Sequence, residues 1–410
     1  MMRPPLAPMR ITAVSLAAAL LLLSGPARAQ FTETLPKHTW MLEVAHNHSI
    51  LTNAYNNKGK KTELLERMDR YDPGGGLQGI IIPKARAEYE ITVIQLRYGI
   101  LDYLTAVVGI PIVARTTVTP DLQWVQGDYQ WPLGRAYSAD DFWQWAASMG
   151  QPKPGRWVGN KGVLSDIVLA LRYRFSDHLP RLKKYGVGVA LTGYYALPTG
   201  AKKDPDLLTS SGATSWELHF QGDLGFHLGV DKTFLSIDKR ITLGFEVFYQ
   251  AMLPHRFDTP RGTVNPLLLN YEPFVGKTYQ VDGGDFFGAS FAASFVLWKG
   301  KAKATWLTKG SAEQAEKLPP MLTFSFQYTF TYLGQSDWSS NSDLWDWSNE
   351  KMWRPGYKNT LTFQLMLSLL RVGVPAQLFF RYRTLSLIPG KNCRAADVIA
   401  GGIRVPLKFW

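Results

Sequence analysis

Residues 322–332 read LTFSFQYTFTY, and the alternation in that stretch decides how this chain folds. Leu322, Phe324, Phe326, Tyr328, Phe330 and Tyr332 fall on one face, and Thr323, Ser325, Gln327, Thr329 and Thr331 on the other. A period of two is the signature of a strand whose faces meet different surroundings. The pattern recurs in LTFQLMLSL at 361–369 and in WELHFQGDLGFHLGV at 216–230. Soluble strands also alternate, but they average about 5–6 residues, whereas a tilted strand that crosses a bilayer needs about 9–11. The segments here reach the longer figure, and Tyr, Phe and Trp crowd their ends, as an interfacial girdle requires.

Twelve such segments follow along the chain, near 39–51, 86–100, 103–116, 163–176, 185–199, 214–231, 240–255, 284–298, 320–334, 357–371, 375–388 and 397–410. In the second, the apolar phase changes from odd positions (Tyr89, Ile91, Val93) to even ones (Ile94, Leu96, Tyr98), which predicts a β-bulge near 93–94. Long connections alternate with short ones, the habit of a barrel with long outer loops and short periplasmic turns. The exception is 299–319, where GSAEQAEKLPP suggests a short periplasmic helix. Lipid forbids open sheet edges, so the sheet has to close. The expectation is an all-β, antiparallel transmembrane outer-membrane β-barrel of about twelve strands, with long extracellular loops. One missed hairpin would make it ten or fourteen.

The N-terminus reads as a secretory signal. Arg3 and Arg10 precede the apolar run ITAVSLAAALLLL, and ARA ends at residue 29. This divides the chain into a signal peptide at 1–29 and a barrel at 30–410, with Gln30 as the first mature residue. Export argues against nucleic acid as the partner of the formal net charge of +12. After residue 29 no run of about 18 apolar residues occurs, so membrane helices are not expected. The single cysteine, Cys393, precludes an internal disulfide and a multi-cysteine metal site.

Three stretches carry a resemblance: LRYGILDYLTAVVGIPIV (96–113), LSDIVLALRYRF (164–175) followed by GVGVALTGYYALPTG (186–200), and SGATSWELHFQGDLGF (211–226). The first resembles a Tyr-Gly-hydrophobic-x-Asp turn, and the second a hairpin ending in Leu-Pro-Thr-Gly. Both recur in the outer-membrane family named for a MetA pathway of phenol degradation, whose barrels are loosely akin to FadL-type channels. The resemblance covers about residues 86–230 and the last strand. It implies passive uptake of small hydrophobic or aromatic compounds. The chain departs from the FadL pattern, because the eight residues or so between Gln30 and the first strand are too few for an N-terminal plug.

The inward faces should line a polar lumen. The candidates there are Arg172, Arg174, Glu217, His219, Asp223, His227, Glu246, Arg381, Arg383 and Arg404, accompanied by Arg97, Asp166, Gln250, Gln364 and Gln377. These groups either pair across the lumen or form a constriction that sorts solutes by charge and size. Trp298, Phe248 and Tyr194 are expected to narrow it further. Of fourteen tryptophans, nine fall in two outer loops, which makes Trp143, Trp145, Trp345 and Trp347 candidates for capturing apolar solutes at the mouth; the alternative is packing of the loops into a lid. SADDFWQWAASMG (138–150) reads as a helix capped by Ser138 or Asp140.

No catalytic, cofactor or metal site is expected. His219 and His227 lie eight residues apart on a strand, roughly 26 Å, too far to share an ion. His46 and His48 are close enough but lack a third ligand. The expected partners are outer-membrane lipid and lipopolysaccharide, the barrel-assembly machinery, and a small hydrophobic or aromatic solute. A transport channel leads; a barrel enzyme acting on lipids and a scaffold around a periplasmic partner are the alternatives. At the C-terminus, Phe409 keeps the lipid-facing phase of Ile399, Ile403, Val405 and Leu407, and Trp410 falls one past it. Phe409 and Trp410 are therefore read as the insertion signal, Phe409 first.

Overall fold

The computed structural model describes residues 31–408 apart from 65–67, 72–75, 129, 131–132, 142–143, 145–156, 160–161, 201–222, 235–239, 260–271, 302–315, 317, 343 and 345–354. The expected signal peptide at 1–29 falls outside the described residues, as do Phe409 and Trp410. Among those described, no helix is long and apolar enough to cross a membrane.

Twelve strands form the wall: β1 (Thr39–Tyr55), β2 (Leu77–Leu101), β3 (Leu104–Gln126), β4 (Ile167–Tyr173), β5 (Val187–Leu197), β6 (Asp223–Thr233), β7 (Ile241–Met252), β8 (Phe286–Trp298), β9 (Leu322–Leu333), β10 (Gly356–Ser368), β11 (Gln377–Thr384) and β12 (Cys393–Lys408). Each pairs antiparallel with the next, and β1 pairs with both β2 and β12, so the sheet closes on itself. Closure satisfies every strand edge, which lipid demands. Three short strands outside the wall, His255–Asp258, Thr278–Asp282 and Asp337–Ser340, make a small separate sheet in the outer loops.

Side-chain burial follows the pleat. On β6, Asp223, His227 and Asp231 are buried inside, and Leu224, Phe226, Leu228 and Val230 are exposed on the outer face. On β8 the outer face carries Phe287, Phe291, Phe295 and Leu297. Aromatic pairs such as Trp40–Tyr98, at 4.4 Å between ring centroids, and Phe287–Tyr332, at 4.8 Å, mark the two rims.

The phase change in β2 has a different cause from the expected bulge. β1 and β2 pair without interruption from Trp40↔Tyr98 to Leu51↔Ala87. Odd-numbered residues of β2 stay inward throughout, from Ala85 to Arg97. What changes is the surroundings of the strand. In its lower half the outer residues are Ile94, Leu96 and Tyr98, and the inner ones Gln95 and Arg97. In its upper half the outer residues are Arg86, Glu88, Glu90 and Thr92, and the inner ones Ala87, Tyr89, Ile91 and Val93. The upper half has therefore left the lipid, and the apolar side turns inside. The irregularity lies on β3, where Glu90↔Arg115 is followed by Ile91↔Val113 and Ala114 is skipped.

A second correction concerns Trp298. The register of β8 with β9 skips a residue between Val296 and Trp298, so Trp298 pairs with Leu322 and faces outward, 55% exposed. Phe248 and Tyr194 are buried inside, as the alternation predicts.

Candidate functional site

The lumen is built in three tiers. The lowest is a floor made by the residues ahead of β1. The backbone N–H groups of Phe31 and Thr32 donate to the Asp231 carboxylate at 2.9 and 2.7 Å, and the Thr32 hydroxyl donates to it at 2.7 Å. The Leu35 N–H donates to Thr105 Oγ1 at 2.8 Å, and Arg172 Nη1 donates to the Glu33 carbonyl at 3.3 Å. Thr32, Thr34 and Leu35 are buried. The wall is hollowed to receive them: a Cβ on Gly188 would lie 2.3 Å from Thr32 Oγ1, and one on Gly229 would lie 2.6 Å from Phe31 Cβ. The segment is too short for a folded domain, but an extended chain bonded through its backbone needs few residues to cover the mouth.

The middle tier is charged. Glu43 on β1 accepts from Arg404 Nε at 2.6 Å and from Arg97 Nη2 at 3.4 Å. Arg381 Nε donates to Gln364 Oε1 at 3.2 Å. The guanidinium carbons of Arg381 and Arg404 lie 5.3 and 5.1 Å from the centroid of the Phe379 ring. Arg381, Arg383 and Arg404 are all buried on the inward faces of adjacent strands. Between this tier and the floor is a cavity of about 50 Å³, lined by Thr34, Leu35, Arg97, Arg172, His227 and Arg404 among others.

The upper tier is apolar. Leu51, Tyr89, Ile91, Val93, Val113 and Val398 belong to one buried cluster with Val168, Tyr194 and Ala196. It sits inside the barrel at the level where the outer face of β2 has become polar. A water-filled porin has a polar interior; along β1 to β5 and β12 this lumen reverses that rule over its outer half. The signal was present in the sequence as the phase change in β2.

The predicted lumen residues are distributed as follows. Arg172, Asp223, His227, Glu246, Arg381, Arg383 and Arg404 point inward. Arg172 Nε donates to Thr192 Oγ1 at 2.8 Å, and His227 Nδ1 lies 3.1 Å from Glu246 Oε1. Arg174 stands past the end of β4, on the periplasmic rim, and binds Asp177 at 2.7 Å. Glu217 and His219 lie outside the described residues, as do Trp143, Trp145, Trp345 and Trp347. His46 and His48 face outward; they contact Thr92 at 3.1 Å and Glu90 at 3.9 Å. Among the described residues no group of three or more His, Cys, Asp and Glu is arranged to hold a metal ion. The floor residues and Asp231 were missed from the sequence, because nothing in FTETLP distinguishes a tucked segment from a linker.

In the second outer loop, Ser138 is the helix cap. Its hydroxyl accepts from the Asp141 N–H at 3.2 Å, and Asp141 in return accepts from the Ser138 N–H and hydroxyl, each at 2.7 Å. Arg135 adds two bonds to the same carboxylate, at 2.6 and 2.7 Å. These bonds hold the Asp141 carboxyl well below the usual carboxylate range, the Arg135 bonds first.

No family model matches the sequence, and no curated protein matches it. Among solved structures, an outer-membrane channel from Pseudomonas putida F1 is similar over 92% of this chain and 98% of its own, with 11% identity and a TM-score of 0.54. The toluene transporter TodX of Pseudomonas putida aligns over 95% of this chain and 93% of its own, with 8% identity and a TM-score of 0.33. The first likeness is one of fold: a closed barrel of the outer-membrane kind.

Proposed function

We propose that the protein is a bacterial outer-membrane channel for passive uptake of small hydrophobic or aromatic compounds. The apolar upper tier carries the reading. Apolar side chains inside the barrel, Tyr89, Ile91, Val93, Val113 and Val398 among them, give an apolar solute surroundings that water lacks reason to fill. The similar Pseudomonas putida protein is an outer-membrane channel, which supports the same class of activity.

The test is uptake. A deletion strain should lose growth or uptake on an apolar carbon source that the complemented strain regains, and purified barrel should give small, infrequent conductance in planar bilayers. A high, steady conductance to hydrophilic solutes would instead make it a general porin. Replacing Trp143 and Trp145 by Ala tests the capture role of the outer loop: uptake should slow while the barrel still inserts.

A further inference from the structure

The strongest unexplained chemistry lies on the inner wall where β5, β6 and β7 meet. Tyr194 leaves β5 and lies across β6 at Gly225, where an added Cβ would fall 2.1 Å from its ring and 2.3 Å from its hydroxyl. Gly225 is flanked on the same inward face by Asp223 and His227. The His227 ring stacks on Phe248, with centroids 5.3 Å apart, and lies 5.6 Å from the ring of Tyr194. Asp223 accepts one bond, from Gln250 Nε2 at 3.0 Å. Its other oxygen, Oδ1, is buried with no hydrogen-bond partner, and so is the hydroxyl of Tyr194. Both residues are nearly inaccessible, Asp223 at 5% and Tyr194 at 3%.

A buried acceptor without a donor is costly, and native proteins leave few of them. Two on neighbouring strands, beside stacked rings and at the edge of the apolar tier, mark a place where something else supplies the bonds. The carboxylate oxygen can only accept; the phenol can accept or donate. A group that donates to Asp223 and also meets the Tyr194 hydroxyl satisfies both. A carboxylate ligand fails, because it would face Asp223 with like charge.

Resting on the transport reading, we propose that Asp223 and Tyr194 form a head-group subsite in the lumen that selects apolar solutes bearing a hydrogen-bond donor, a hydroxyl or protonated amine, over hydrocarbons and carboxylates. The body of the solute lies against Phe248 and His227, and its head bridges Asp223 Oδ1 and the Tyr194 hydroxyl. Asp223 and Tyr194 then set specificity among apolar solutes.

The experiment is binding to purified barrel in nanodiscs, read by ligand-observed NMR, with methylcyclohexane, cyclohexanol, cyclohexylamine and cyclohexanecarboxylate as probes. Comparing wild type with variants cancels partition into lipid, which is common to all. The alcohol and the amine should bind about tenfold tighter than methylcyclohexane. Asp223→Asn and Tyr194→Phe should each pull that ratio towards one and leave methylcyclohexane unchanged. A wild-type ratio near one, which is what an ordered water alone at the site would give, overturns the proposal. So does a ratio untouched by both variants, or a carboxylate bound as tightly as the alcohol. Measured against empty nanodiscs, which report partition into lipid alone, the wild-type ratio decides even if a variant fails to fold. Flux through liposomes keeps the two readings apart: a barrel that binds selectively but passes nothing sinks the transport reading and leaves the subsite standing.

Discussion

Glu43 is the carboxylate to which both Arg404 and Arg97 are bonded in the middle tier. It is 7% exposed and Arg404 1%. Removing one partner from such a group leaves buried charge uncompensated, at a cost of about 3–5 kcal/mol. Glu43→Gln should therefore lower the urea midpoint of the barrel and move its reversal potential towards anions. An unchanged midpoint would mean that solvent already screens the arginines. Asp141 makes a different case, because it sits in an exposed loop. Its folded pKa is depressed, so its contribution is complete above the unfolded carboxylate value of about 3.9 and is lost as pH falls towards the folded one. Protease nicking of the second outer loop should accelerate below about pH 4, and Asp141→Asn should produce the same nicking at neutral pH.

At the scale of elements, the lipid boundary crosses β2 between Ile94 and Thr92. Arginine placed outward within the lipid should cost about 2–4 kcal/mol near its midplane and about 0–1 near its edge. Leu96→Arg should therefore destabilise the barrel in lipid vesicles far more than Thr92→Arg, measured by urea unfolding. Equal costs would move the boundary. The floor gives a second prediction: Gly188→Val places side-chain atoms where Thr32 lies, so the segment should leave the mouth and conductance should rise. The twelve strands were legible because lipid enforces a strict period of two at LTFSFQYTFTY and its relatives. The β2 phase change was legible too, but its cause was not. A bulge and a change of surroundings give the same string of letters, and only the unbroken pairing with β1 separates them. Trp298 was misplaced for the converse reason: one skipped residue in β8 flips its face, and no letter marks the skip. Of the site, the inward arginines were readable by parity. The pairing of Tyr194 over Gly225 and the anchoring of Thr32 on Asp231 join residues far apart in the chain, which a single sequence does not encode in any local pattern.

The whole molecule is a ring whose ends meet. β1 and β12 pair from Thr39↔Lys408 to Tyr55↔Cys393, the first and last strands of the wall. That seam is the most non-local contact the chain can make, and contacts of this kind form late. Until β12 arrives, one edge of β1 has no partner, and an open edge is a template for the wrong strand. A chain that has all of the wall except β12 therefore still has an open edge on its first strand. Truncation anywhere before residue 393 should leave that edge open permanently, which makes the last strand a safeguard against aggregation as much as a piece of the wall.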